Sequence, residues 1–209
     1  MPLIRKEPTS APSPATSDSR GDLKSANTQT RWTAARLLAK DPSSVAALGD
    51  ALAVETDARV REALFTSLAH IQTADAVGVL LSHLRSPDAA IRAGALDALS
   101  SMPQAVESQL PKLLADPDPD VRLLVCEIVR RLPGPVACRY LCDLLARETE
   151  VNVCGAAVDA LSEVGDDTAL PILSDCAARF GAEPFLVFSI KVASSRIVGD
   201  GRRRDPKAP

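Results

Sequence analysis

Asp57-Ala58-Arg59-Val60-Arg61-Glu62-Ala63-Leu64-Phe65-Thr66-Ser67-Leu68 is the stretch on which the fold turns, because its pattern returns along the chain. It comes back as Asp88-Ala89-Ala90-Ile91-Arg92-Ala93-Gly94-Ala95-Leu96-Asp97-Ala98-Leu99 and as Asp118-Pro119-Asp120-Val121-Arg122-Leu123-Leu124-Val125-Cys126-Glu127-Ile128-Val129. A weaker copy runs from Glu150 to Leu161, and a truncated one from Thr30 to Leu38. The last apolar residues of the copies are Leu38, Leu68, Leu99, Val129 and Leu161, separated by 30, 31, 30 and 32 residues. A fixed period of this size marks a repeat architecture, in which each unit is one supersecondary element.

Each copy opens with an acid three residues before an apolar position. A carboxylate there satisfies free backbone N–H groups and meets the positive end of a helix dipole, so it starts a helix. Apolar residues follow at offsets 0, 4, 5 and 8, as in Val60, Leu64, Phe65 and Leu68, which is the spacing of one helical face. Ahead of each such helix lies another: Val45, Leu48, Leu52; Val77, Leu80, Leu81, Leu84; Val106, Leu110, Leu113, Leu114; Val136, Leu141, Leu144, Leu145; and Leu170, Leu173, Ala177. Prolines 42, 87, 103, 117, 133 and 135 fall in the joints, where helices start and end.

Two alternating helices cannot bury their own apolar faces, so neighbouring pairs must stack. The expected fold is all-α, a right-handed α-solenoid of about five antiparallel helix pairs. At these residues the chain resembles the HEAT-repeat superfamily. The acid-x-x-Val/Ile-Arg-x-x-Ala/Leu signature, with its period of about 30, is similar to the short HEAT-like repeats of the phycobilin-lyase type. The likeness spans residues 27–180. It implies fold and says little of function, since that family includes scaffolds, chromophore lyases and DNA-repair proteins.

Around the repeats, composition divides the 209 residues into three parts. Residues 1–26, rich in Ser, Thr and Pro, are expected to form a disordered leader; residues 27–199 the solenoid; residues 200–209, with Arg202-Arg203-Arg204, a flexible polar tail. Only 3% of residues are aromatic, so the core must be aliphatic. A net charge of −3 supplies no global attraction to nucleic acid. No apolar h-region follows the first charges and no apolar run reaches the length of a membrane span, so a cytoplasmic protein with reduced thiols and no membrane partner is expected.

The repeated Arg31, Arg61, Arg92 and Arg122 suggest an anion-binding ladder. A structural reading is preferred, in which each planar fork bonds the carboxylates Asp57, Asp88, Asp118 or Glu150 of its own or the next repeat. The partner-binding residues are sought on the second helices, which line the concave side in HEAT units. Offset 6 carries Arg36, Thr66, Asp97, Glu127 and Asp159; offset 2 carries Trp32, Glu62, Ala93, Leu123 and Gly155. Trp32, Arg36, Glu62, Asp97, Leu123, Glu127 and Asp159 thus outline a groove, acidic over most of its length, with apolar anchors. It would receive a basic or amphipathic protein segment.

Chemistry is otherwise sparse. Cys138 and Cys142 lie one helical turn apart with Cys126 and Cys154 on flanking helices, but structural zinc spacing occurs once only, and Cys126 stands at a core offset. His70 and His83 have no Glu beside them, unlike the His-Glu pairs of iron-binding HEAT hydroxylases. No phosphate loop, nucleophile elbow or paired-carboxylate motif is present. No metal, cofactor or catalytic residue is therefore assigned.

Glu183-Pro184-Phe185-Leu186-Val187-Phe188-Ser189-Ile190-Lys191-Val192-Ala193 is apolar nearly all round and should cap the solenoid. Phe185, Phe188 and Val192 are expected to pack inward, with Val187 or Ile190 outside and available for self-association. The sequence thus describes a non-enzymatic scaffold or regulatory adaptor. The alternatives are a HEAT-type nucleic-acid-binding protein, which the acidic row disfavours, and a lyase-like accessory acting on a client protein.

Overall fold

A computed structural model describes residues 14–204, with side chains placed for residues 18–199. The helices are α1 (Pro14–Asp22), α2 (Thr28–Leu37), α3 (Val45–Val54), α4 (Ala58–Ile71), α5 (Ala74–His83), α6 (Ala89–Ser100), α7 (Pro103–Val106), α8 (Leu110–Leu113), α9 (Pro119–Val129), α10 (Gly134–Leu145), α11 (Val151–Val164), α12 (Leu170–Arg179) and α13 (Pro184–Arg204). Among the described residues there is no strand. Rather than one body, the helices cluster into two compact units, Met1–Val79 and Leu80–Pro209.

The predicted start signals are where the helices begin. Asp57 accepts from the N–H groups of Arg59 and Val60 at 2.9 and 3.1 Å, Asp88 from Ala90 at 2.8 Å, and Asp118 from Asp120 at 3.0 Å. One predicted helix is broken. Pro111 has no N–H to donate, so the run from Pro103 to Leu113 divides into α7, a 3-10 turn over Glu107–Gln109, and α8. Its four apolar positions, Val106, Leu110, Leu113 and Leu114, are buried all the same.

In the first unit α1 and α4 pack on α2, and α3 packs on α4. Leu38, Leu48, Leu52, Val60, Leu64 and Leu68 fill the space between them. The folded part begins earlier than the expected boundary at residue 27. Leu23 is buried, and Arg20 binds Ser44 Oγ at 3.0 Å, Ser43 Oγ at 2.5 Å and Asp41 Oδ2 at 2.8 Å. Hydrogen bonds from Ser43, then Ser44 and Arg20, outweigh burial and hold the Asp41 carboxyl at about 2. Residues 1–13 of the expected leader and 205–209 of the expected tail lie outside the described residues, while α13 continues through Arg204, past the expected boundary at residue 200.

In the second unit α9 packs on α6 and α8, α11 on α9 and α10, and α13 lies along α11 and α12. Gly165 permits the approach of α13. A Cβ there would come within 2.5 Å of the Leu161 carbonyl oxygen and 2.9 Å of Ile197 Cδ1. The packed face of α13 is the reverse of the expected one. Leu186, Ile190, Ala193 and Ile197 are buried, whereas Phe185 is 88% and Phe188 66% exposed, and Val192 is exposed as well. The i, i+4, i+7, i+11 row of small and branched aliphatics fits the close α11 surface better than two phenyl rings would.

At Arg31 and Arg122 the arginine ladder is present, and its carboxylates there are other than the predicted ones. Arg31 gives Nε and Nη2 to Glu55 at 2.7 and 3.0 Å, and Arg122 gives the same nitrogens to Glu148 at 2.7 and 2.9 Å. The remaining Nη1 holds the chain just before its own helix. For Arg31 the acceptors are the Ser25 and Ala26 carbonyls, for Arg92 those of Ser86 and Pro87, and for Arg122 those of Asp116 and Pro117. Asp57 and Asp118 serve as helix caps, as Asp88 does, and Glu150 makes no side-chain cap bond.

The acid that matters stands two residues earlier, in Glu55-Thr56-Asp57 and Glu148-Thr149-Glu150. Glu148 Oε1 also accepts from the N–H groups of Thr149 and Glu150 at 2.9 and 3.0 Å, and Glu55 Oε1 from Thr56 and Asp57 at 3.0 and 2.9 Å. At Glu55 the Arg31 hydrogen bond prevails over burial to lower the carboxyl's pKa. At Glu148 burial pushes upward, yet the Arg122 fork and the two N–H groups together bring the net shift below the usual range.

Both shifts stabilise the fold above the unfolded carboxyl value, near 4.5, and that stability is lost as pH falls through the depressed folded values. Urea unfolding should therefore show stability declining below about pH 4.5, with a shallower decline in Glu148→Gln. Arg122→Ala should cost about 2–4 kcal/mol at neutral pH by stranding the buried Glu148. A cost below about 0.5 kcal/mol would assign the fork no structural role.

Candidate interaction surfaces

The expected groove residues fall in both units and form two different environments. In the first unit the α2 stripe carries Gln29, Trp32 and Arg36, spaced so that successive residues lie about one turn apart. Trp32 is half-buried, with the Arg36 guanidinium 4.6 Å and the Arg59 guanidinium 4.4 Å from its ring centroid. Arg59 also donates from Nη1 to Gln29 Oε1 at 3.2 Å. Glu62 and Thr66 follow on α4, both exposed. Trp32 is thus a cation-flanked aromatic rather than a bare apolar anchor, and Arg59 is a member of the group that the offset argument did not pick out.

In the second unit the acidic row is already bridged. Arg130 reaches Glu127 at 2.6 Å, Asp159 at 2.8 Å and Glu163 at 3.0 Å. The open acidic groove expected there is therefore closed at two of its three carboxylates by a cation standing three residues after Glu127. Burial works against the charge of Arg130, but the surrounding acids raise its pKa further above the ordinary value. Its Nε is buried without a partner. Asp97 is exposed on α6, and Leu123 is half-buried rather than projecting.

The thiols are free: Cys126, Cys138, Cys154 and Cys176 are buried, and Cys142 is half-buried. Cys138 Sγ lies 4.0 Å from Cys142 Sγ and 3.7 Å from Asp166 Oδ1. Burial, reinforced by the neighbouring Cys138, pushes the Cys142 thiol up to about 12; burial does the same to Cys126. Cys154 Sγ donates to the Glu148 carbonyl oxygen at 3.9 Å; its interaction with Cys176, with help from Arg179, lowers the Cys176 thiol and raises that of Cys154. Among the described residues no group of three or more His, Cys, Asp or Glu is placed to hold a metal ion.

A cavity of about 660 Å³ opens at the start of the first unit, lined by Arg20, Leu23, Lys24, Arg31, Val54 and Glu55 among others. Its arginines and its glutamate are committed to the bonds described above. Among the described residues Phe185, Phe188 and Val192 form an exposed apolar stripe on α13 in the second unit.

If Arg130 is what holds the acidic row together, Arg130→Gln should lower stability by about 1–3 kcal/mol. Added salt should restore part of the loss, because it screens the three carboxylates left facing one another. Thermal melts at low and high ionic strength make the comparison; a loss that salt does not reduce would mean that packing alone is involved.

Comparison with known proteins agrees with this architecture. A family model for HEAT repeats matches residues 22–100 and 106–180. No curated protein matches the chain. An archaeal HEAT-like repeats protein from Thermococcus onnurineus NA1 is similar at 17% identity, over 88% of this chain and 87% of that one, with a TM-score of 0.50. A chain from a study of microtubule plus-end tracking by XMAP215, CLIP-170 and EB1 matches at 15% identity and TM-score 0.55, over 86% of this chain and 90% of that one. A chain from the CpcE–CpcF phycocyanin lyase complex of Nostoc sp. PCC7120 matches at 20% identity and TM-score 0.40, over 82% of this chain and 85% of that one. With its repeats matched over most of its length and its helices paired as the periodicity requires, the chain belongs to the HEAT-repeat family.

Proposed function

We propose that this protein is a non-enzymatic interaction module, an adaptor that receives an amphipathic segment of a protein partner on the outer face of α13. The observation that carries the reading is the exposure of Phe185 and Phe188 at 88% and 66%, with Val192 one turn further along the same stripe. Single exposed apolar residues are common on soluble proteins, but two phenyl rings and a valine at i, i+3 and i+7 form a contiguous patch of the kind that marks partner contacts. The repeat fold supports the same reading, since stacked helix pairs present extended surfaces for other chains.

Chemistry around the stripe describes the partner further. Lys191 and Arg196 are exposed on α13 and Glu183 precedes it, so an incoming helix with an apolar face and an acidic flank would be matched in both respects. The concave row is kept in this proposal as a secondary surface. Its acids Glu127 and Asp159 would have to leave Arg130 to bind a basic segment, which weakens them as a primary site.

The test is site-specific cross-linking in cells with a photoreactive residue in place of Phe188 and, as control, in place of exposed Asn152. A discrete adduct with another protein is expected from position 188, absent from position 152 and lost when Phe185→Glu is added. The exposed substitutions should change stability by no more than about 0.5 kcal/mol each. Equal labelling from both positions would overturn the reading, and an adduct solely between copies of this chain would replace it with self-association.

A further inference from the structure

The chain has a single tryptophan, and two guanidiniums lie on it. Both are within 4.6 Å of one ring centroid, so the two positive charges are no more than 9.0 Å apart. That separation is comparable to the screening length at physiological salt, about 8 Å, so the pair repels. The indole face offsets part of the repulsion through its quadrupole but supplies no net negative charge.

Five arginines elsewhere in the molecule are matched with acids. Arg20 has Asp41, Arg31 has Glu55, Arg85 has Asp116, Arg122 has Glu148, and Arg130 has three carboxylates. Arg36 and Arg59 make no such bridge, and they are the two that share one aromatic ring. Both are exposed, neither pairs with a carboxylate among the described residues, and Glu62, three residues beyond Arg59 on the same helix, does not bridge to it.

A guanidinium laid against an aromatic face keeps its N–H donors in its own plane, along its edges, where they remain open to a carboxylate. Arg59 is further held by Gln29, whose carbonyl takes one Nη1 hydrogen, so less freedom is lost when a ligand arrives. The arrangement is a preorganised pair of forks with no internal anion.

We propose that Arg36 and Arg59, stacked on Trp32, bind an acidic segment of a protein partner through its side-chain carboxylates. The extent of the positive charge favours a peptide over a nucleic acid. A phosphate backbone needs a track of cations, whereas here two arginines stand beside exposed Glu62, in a chain of net charge −3. A short acidic motif can lay a carboxylate against the open edge of each fork and turn away from Glu62. This site lies in the first unit and does not depend on the α13 reading.

Because Trp32 is the one tryptophan, its emission reports the site directly in the full chain. The probes are a short peptide of alternating glutamate and aspartate, the same peptide with glutamine and asparagine, a short oligothymidylate and inorganic phosphate, all at fixed ionic strength. A saturable change with the acidic peptide and none with its amide counterpart is expected. Arg36→Gln and Arg59→Gln should each raise the Kd about fivefold or more, with Arg36→Lys recovering only part of the loss because the fork is gone. Circular dichroism melts of the variants show that they stay folded, as exposed positions should. The proposal is overturned if the acidic peptide leaves the emission unchanged or if both glutamine variants bind as the parent does. Saturation by phosphate at the same concentration as the peptide would also overturn it, and tighter binding of oligothymidylate would assign the site to nucleic acid instead.

Discussion

One guanidinium edge on a buried carboxylate and another nitrogen on two loop carbonyls is the arrangement that orders two joints of this molecule, one in each unit. In Arg31 and Arg122 a single side chain ties the turn inside one helix pair to the turn inside the next, and it does so with carboxylates that are themselves fixed by backbone N–H groups. Aliphatic faces supply most of the driving force for stacking, but they are nearly featureless and tolerate sliding. The two forks give a directional bond at a defined point in their joints, and the packed rows of leucine and valine align accordingly.

The repeat was legible because its signals are local and redundant. Period, cap and apolar spacing all indicate the same helices, and Val60, Leu64, Phe65 and Leu68 are buried together as their spacing requires. Pro111 could be seen in the sequence, yet its effect on the helix around it depended on which carbonyl it failed to reach. The ladder carboxylates were visible as an acid two residues before Asp57 and before Glu150, but two acids in one short joint offer no local means of deciding which caps and which bridges. The joint itself decides, since Asp57 sits close enough to reach Arg59 N–H while Glu55 points back toward Arg31.

The candidate surfaces were less readable, for a different reason. An offset identifies the face of a helix but not what a long side chain on a neighbouring helix does there. Arg130 neutralises part of the acidic row from a position that the offsets assigned to no role, and Arg59 joins Trp32 from a second helix. The last helix misled for a third reason. Where nearly every position is apolar, periodicity cannot choose a face, and the choice fell to Ile190, Ala193 and Ile197, which fit beside Gly165.

The reach of each ladder bond along the chain is short. Arg31 and Glu55 are 24 residues apart, and Arg122 and Glu148 are 26. Each such contact closes a loop of one repeat, so its entropic cost is small and does not grow with the number of repeats. Within each unit, order can spread from one joint to its neighbour without waiting for distant parts of the chain to meet. Such a topology has low contact order and places folding toward the fast end of the range for small domains, with local opening beginning at the helices that have a neighbour on one side only.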